Sequence, residues 1–302
     1  MNDPRARRLQ LITGKGGVGK STLAAALGLA WAERGRRPLV VELGERASMD
    51  GVFGDVRVGW DPIEVAPGVH ATTIDGRRAV LEVFVRWLRV RAWAERALRS
   101  EALHAFIGAA PGVTEVATME RIISLLEAGW DPVLVDADAS GHALMFLELP
   151  RVLEELDVGG PVAALIARTQ KLFGDPDHVA LHLVTLPLAL PVQETIELDH
   201  KLRTEHRVPH GALFVSRAPR ESTLCRERVE RFRMHVEGHA ELSRDLGRLS
   251  IELLRAEEAR ARIERLRDVT ERTTILLPEL APGVLDRRAL LGLGRAALEG
   301  LS

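Results

Sequence analysis

Gly14-Lys15-Gly16-Gly17-Val18-Gly19-Lys20-Ser21 lies between a short apolar run, residues 9–13, and an alanine-rich stretch, residues 23–34, that ends at Gly35. Two glycines followed by Lys and Ser at this spacing form a phosphate-loop pattern, and the context of apolar strand before and helix after is the one the pattern requires. The glycines let successive backbone N–H groups turn inward around a polyphosphate, and the start of the helix adds the positive end of its dipole. Gly14, Lys15, Gly16, Gly17, Val18, Gly19, Lys20, Ser21 and Thr22 are therefore the candidate phosphate-binding residues. Lys20 would bring a compact charge to the terminal phosphates, and the Ser21 hydroxyl would ligate Mg²⁺.

Outward from the loop, short apolar runs recur at 38–42, 132–136, 182–186, 211–216 and 274–277, and the segments between them carry helical patterning. This alternation reads as an α/β chain on a mainly parallel sheet flanked by helices. Residues 116–128 repeat apolar positions at three- and four-residue spacing and stop at Gly129, a helix with a glycine stop. With no repeat, low-complexity tract or linker in view, the expectation is one domain over residues 1–302 with two helical elaborations. The first, about 77–107, is apolar on more than one stripe, which suits a helix buried between neighbours or a groove for an apolar client. The second, about 221–272, is densely charged, with Leu253, Leu254, Ile263, Leu266 and Val269 as an apolar seam and with breaks expected at Gly238 and Gly247.

Composition narrows the function classes. The 302 residues carry 41 Lys+Arg against 43 Asp+Glu, a formal charge of −2, so binding to nucleic acid or anionic lipid would need a local basic patch, and none is evident. Only four of the basic residues are lysines, Lys15, Lys20, Lys171 and Lys201, and two of these share the phosphate loop. Cys225 is the single cysteine, which excludes an internal disulfide or a multi-cysteine metal site within one chain and fits a reducing cytoplasm. The apolar stretch 183–192 is interrupted by Pro187 and Pro191, so no bilayer span is expected. With 46% apolar residues, the chain reads as a soluble globular protein with a substantial core.

Lys15, directly after the first glycine, makes the loop resemble the deviant Walker A loop of a class that includes the nitrogenase iron protein, the Min and partition ATPases, and the arsenite-pump and tail-anchored-protein-targeting ATPases. The resemblance implies a dimer around ATP, identical chains or a pair with a paralogue, with Lys15 reaching the partner's nucleotide. Val133-Leu134-Val135-Asp136, then Ser140-Gly141-His142-Ala143-Leu144 and Leu149-Pro150, resembles the switch segment of the arsenite-pump and targeting branch. Pro111-Gly112-Val113-Thr114-Glu115, Val184-Thr185-Leu186-Pro187 with Gln193-Glu194-Thr195, and 274–278 are similar to further segments of that branch. The implied fold is a P-loop NTPase. The implied roles are Mg²⁺-water binding by Asp136, movement of Ser140, Gly141 and His142 on loss of the γ-phosphate, and proximity of Pro278 to the base.

Three departures stand out. The family places an aspartate after the second strand to orient water; here Val41-Glu42-Leu43-Gly44-Glu45 leaves Glu42 or Glu45 for that work. The base-contacting strand ends in Ser216-Arg217 instead of asparagine, so an amide's paired donor and acceptor are absent. Where the targeting ATPases carry Cys-x-x-Cys, position 228 is arginine, so Cys225 alone predicts no zinc, and arsenite capture lacks its cysteines. The combined expectation is a nucleotide-switched, ATP-hydrolysing dimer with a possible apolar protein client. The alternative is a low-turnover regulatory subunit paired with a paralogue.

Overall fold

The computed structural model describes residues 7–44, 48–54, 56–88, 112–137, 160–173, 175–205, 209–222, 224–236, 239–280 and 286–301. Eight strands, β1 (Leu9–Thr13), β2 (Leu39–Leu43), β3 (Ile63–Ala66), β4 (Val69–Ile74), β5 (Val133–Asp136), β6 (Val179–Thr185), β7 (His210–Ala218) and β8 (Thr274–Pro278), form one sheet in the order β3-β4-β2-β5-β1-β6-β7-β8. All neighbours run parallel except the β3–β4 pair. The described helices are α1 (Lys20–Glu33), α2 (Ser48–Phe53), α3 (Gly76–Leu88), α4 (Val113–Glu127), α5 (Gly160–Phe173), α6 (Ala189–Glu205), α7 (Arg226–Arg233), α8 (Ala240–Val269) and α9 (Arg287–Gly300).

The unbroken apolar runs of the central strands follow from burial on both faces: every residue of β1, β2, β5 and β6 is buried. Alternate side chains divide between two cores, as the two-residue period of a strand demands. Leu9, Leu11, Val41 and Val135 pack with Val80 of α3, Ile122 of α4, Val192 of α6 and Leu266 of α8. Ile12, Val40, Leu134 and Phe214 pack on the other face with Leu23 and Leu27 of α1 and Leu290 and Leu298 of α9. The alanines of α1 have a packing cause: a Cβ on Gly294 of α9 would lie 2.0 Å from the Ala26 carbonyl oxygen, so the two helices meet at backbone contact.

The sheet has one hairpin that the apolar runs did not reveal. β3 and β4 join through Pro67-Gly68, and β4 reads Val-His-Ala-Thr-Thr-Ile, too polar to stand out. Thr72 donates to the Trp60 carbonyl at 2.7 Å, a partner outside the hairpin, and the His70 ring lies 4.7 Å from that of Trp130. In the second elaboration the chain does break between α7 and α8, but Gly247 lies inside α8 and does not end it. One glycine costs about 1 kcal/mol, which a 30-residue helix absorbs. Leu253, Ile263 and Leu266 of the expected seam are buried, whereas Leu254 and Val269 are exposed, because the sheet covers only one narrow stripe of this helix. Of the first elaboration, Val80 and Val83 of α3 are buried, and residues 89–107 lie outside the described residues. Among the described residues no helix is long and apolar enough to cross a membrane.

Candidate nucleotide site

β1 and β5 are neighbours whose connections run in opposite directions, from β1 to β2 and from β5 to β6, and this opens a crevice at the carboxyl ends of the strands. The loop 14–19 fills the start of that crevice. Gly14 has φ 151°, and a Cβ there would lie 2.2 Å from the Val184 carbonyl oxygen of β6, so only glycine lets the loop leave β1 this closely packed. Val18 is buried in the α1-side core and pins the loop from below. Gly19, at φ 101°, caps α1 without any side-chain hydrogen bond, at the helix end whose dipole favours an anion.

A cavity of ≈ 370 Å³ opens above the loop, lined by Gly16, Gly17, Gly19, Lys20, Ser21 and Thr22, by Glu42 and Leu43 of β2, by Asp136 of β5 and by Arg217 of β7. Neither Gly16 nor Gly17 has any atom within 4 Å of a notional Cβ, so their cavity side is a cradle that a side chain would fill. Lys20 is buried at 9% exposure and donates to the Lys15 carbonyl at 3.1 Å. The Ser21 hydroxyl donates to Asp136 Oδ2 at 2.5 Å. Asp136 pairs in register with Ile12 of β1 and Glu42 of β2, which places two buried carboxylates side by side next to the loop. Cations and amides for phosphate, with a hydroxyl and carboxylates for a hard divalent cation, are the donor set that Mg²⁺-nucleotide needs. The residues present fit that group.

At the end of β7, Ser216 packs under the loop, its Oγ 3.2 Å from the Cβ position of Gly19. Arg217 faces the cavity from a left-handed backbone, φ 54°, a conformation that costs a residue with a side chain about 1–3 kcal/mol. Pro278 closes β8 opposite Ala218 and does not line this cavity. Lys15 does not line it either: its side chain points to α6, where Nζ lies 3.3 Å from Glu194 Oε1. Glu45, Ser140, Gly141 and His142 lie outside the described residues. Cys225 is half-buried just before α7, with Arg228 in its first turn.

Two features were not singled out in the sequence. Glu194 was quoted only as part of a similar segment, and its partnership with Lys15 comes from packing of α6 beside the loop. That helix is fixed to the sheet by a buried pair: Arg272 Nε donates to Asp199 Oδ1 at 2.6 Å, and Arg272 Nη1 donates to the Leu181 carbonyl at 2.8 Å. Burial holds the Arg272 guanidinium below its ordinary value, and Asp199 opposes the shift. His182 of β6 is fully buried beside it and accepts a hydrogen bond from the Ala212 N–H at 3.0 Å. Its pKa is pushed down to about 3, first by burial and then by the charges of Arg272 and Arg7. Lys171 stands in the last turn of α5, where a cation favours the helix dipole, and borders a second cavity of ≈ 300 Å³ with Arg8, Leu126 and His178.

Comparison with known proteins agrees with this geometry. The sequence profile of the ArsA-type anion-transporting ATPases matches residues 7–157. ATPase BagA of Mycobacterium tuberculosis (strain ATCC 25618 / H37Rv) is 34% identical over 222 residues, 70% of this chain and 65% of that protein. An arsenical pump-driving ATPase of Acidiphilium multivorum (strain DSM 11245 / JCM 8867 / NBRC 100883 / AIU 301) is 26% identical over 228 residues, 67% of this chain and 39% of that protein. The chain thus spans less than two thirds of the length of either relative. The matched half contains the loop, Glu42 and Asp136, and with it the chain belongs to the anion-transporting ATPase family.

Proposed function

We propose that this chain is a Mg-ATP-dependent ATPase of the cytoplasm that works as a nucleotide-gated dimer, of identical chains or with a paralogue, and delivers a conformational change. The observation that carries the reading is the 2.5 Å contact of Ser21 with Asp136 at the mouth of the glycine loop, beside buried Lys20. On phosphate binding Lys20 exchanges the Lys15 carbonyl for phosphate oxygen. The loop amides and Thr22 orient the polyphosphate, while Ser21 and Asp136 hold the metal and its water. Mg²⁺, when bound, supplies neutralisation of the charge that develops between the phosphoryl oxygens. Glu42 or Glu45 orients the attacking water; support for Glu42 is its place in the same cavity as Asp136. Ser216 and Pro278 lie at the ends of β7 and β8, on the side assigned to the base, while Arg217 lines the cavity beside the loop.

Lys15 acts across the dimer interface in this reading. Its position outside its own chain's cavity supports that role, since a lysine serving its own nucleotide would line it. Ser140, Gly141 and His142 relay the state of the γ-phosphate, and the region 77–107 is the candidate surface for an apolar protein client. An arsenite pump is not proposed, because Cys225 offers one thiolate per chain. A second reading, a low-turnover regulatory subunit, is favoured by exposed Gly44 after β2, where the family's water-orienting carboxylate would stand. Hydrolysis by the purified chain, with its mass measured with and without ATP, tests both. Turnover abolished by Lys20→Ala supports the enzyme; tight binding without turnover in the unaltered chain supports the regulator. Absence of nucleotide binding refutes both.

A further inference from the structure

Arg217 is the one non-glycine residue with a left-handed backbone among the described residues, and it falls in the nucleotide cavity. A strained position of this kind persists where the surroundings impose it, and an observed outlier at a cavity is a pointer to function. Its origin is visible in the pairing of β7 with β8, whose register shifts between Val215 and Ala218. Extra residues at such an irregularity bend the strand and re-aim a side chain. Here Ser216 is committed to the underside of the loop at Gly19, and Arg217 comes round to line the same cavity as Gly16, Gly17 and Lys20. Among the described residues nothing hydrogen-bonds or ion-pairs with its guanidinium.

The charges in the cavity give that guanidinium a purpose. Glu42 and Asp136 carry two negative charges into a space meant for a polyanion, and Lys20 alone leaves an excess of one. A second cation restores balance before any metal arrives. Arginine suits the task because its planar fork of donors matches phosphate oxygens two at a time and never loses its charge. We propose, on the reading of this cavity as a nucleotide site, that Arg217 binds the polyphosphate and not the base. Recognition at this end of β7 is then by charge and phosphate geometry, and the loss of Arg217 weakens every triphosphate alike.

The test uses the full chain and calorimetric titration with Mg-ATP, Mg-GTP and inorganic tripolyphosphate with Mg²⁺. Glycine adopts a positive φ without strain, so Arg217→Gly removes the guanidinium while keeping or raising the melting temperature, which separates binding from folding. The expected result is a loss of about tenfold or more for all three ligands by a common factor, with partial recovery in Arg217→Lys. A loss confined to the two nucleotides, with tripolyphosphate unaffected, assigns Arg217 to the base and overturns the proposal. Equal affinity of Arg217→Gly and the unaltered chain overturns it too. An unaltered chain that binds none of the three removes the nucleotide reading itself, and this assignment with it.

Discussion

Gly14 and Gly16 stand two residues apart in one loop, yet the structure gives them different work, and alanine at each separates the two. At Gly14 a Cβ would lie 2.2 Å from the Val184 carbonyl oxygen, where real Cβ contacts stay beyond 3.0 Å, and φ is 151°. The loop and β6 would have to part by about 1 Å in a close-packed interior. Backbone strain and overpacking together amount to about 2–6 kcal/mol, a large share of the roughly 5–15 kcal/mol that holds an ordinary domain folded. Gly14→Ala is therefore expected to lower the melting temperature by about 3–9 °C and to weaken ATP roughly 100-fold through misplacement of the loop. At Gly16, which lines the cavity, a Cβ would meet nothing within 4 Å. Gly16→Ala should melt within about 2 °C of the unaltered chain, as surface substitutions do, while weakening ATP about tenfold or more, because the methyl occupies the place of a phosphate oxygen. Thermal melting and calorimetric titration of both variants give four numbers. Unaltered melting in Gly14→Ala would refute the packing reasoning, and full ATP affinity in Gly16→Ala would refute the cradle.

Two further outcomes follow from charges. His182 stays neutral in the folded chain down to about pH 3, whereas unfolded histidine takes up a proton near pH 6.5. Between these values the unfolded state binds more protons at this group, so the contribution of His182 to stability falls by up to about 1.4 kcal/mol per pH unit on acidification below 6.5 and does not change above it. Denaturant unfolding at pH 7.5 and 5.5 reads this slope; His182→Asn, which keeps an acceptor for the Ala212 N–H, should flatten it, and an unchanged slope would assign it elsewhere. Glu194→Gln removes the charge that holds Lys15 to α6. Because the Lys15 side chain is 43% exposed, the pair contributes little to stability, and melting should shift by no more than about 2 °C. The freed lysine should strengthen ATP-dependent pairing of chains in mass measurements, and pairing that is unchanged or weaker would show that Glu194 does not restrain it.

How far this molecule can be read from its residues depends on whether the cause of a feature is local. The loop is local: strand, glycines and helix follow one another from Leu9 to Glu33, so its place between β1 and α1 was legible at once. Central strands were legible for a related reason, since burial on both faces leaves no polar position to confuse the pattern. The β3–β4 hairpin was not, because β4 buries Thr72 against the Gly59 and Trp60 carbonyls and packs His70 against the Trp130 ring, partners outside the hairpin. Gly247 misled for the same reason, as α8 is held by its packing against α7, α6 and β7, which outweighs a single poor helix former. In the candidate site, Asp136 was expected because its segment resembles the family's switch segment, and pairing of β5 with β1 brings it to the loop. Glu194 and the aim of Arg217 were not, since one depends on where α6 packs and the other on a register shift between β7 and β8. Both arise from pairing between distant segments, and both touch the two basic groups whose targets a loop motif leaves open. The chemistry common to the loop is therefore written locally, while the departures that would distinguish this chain from its relatives are set by how α6 and β7 meet the loop.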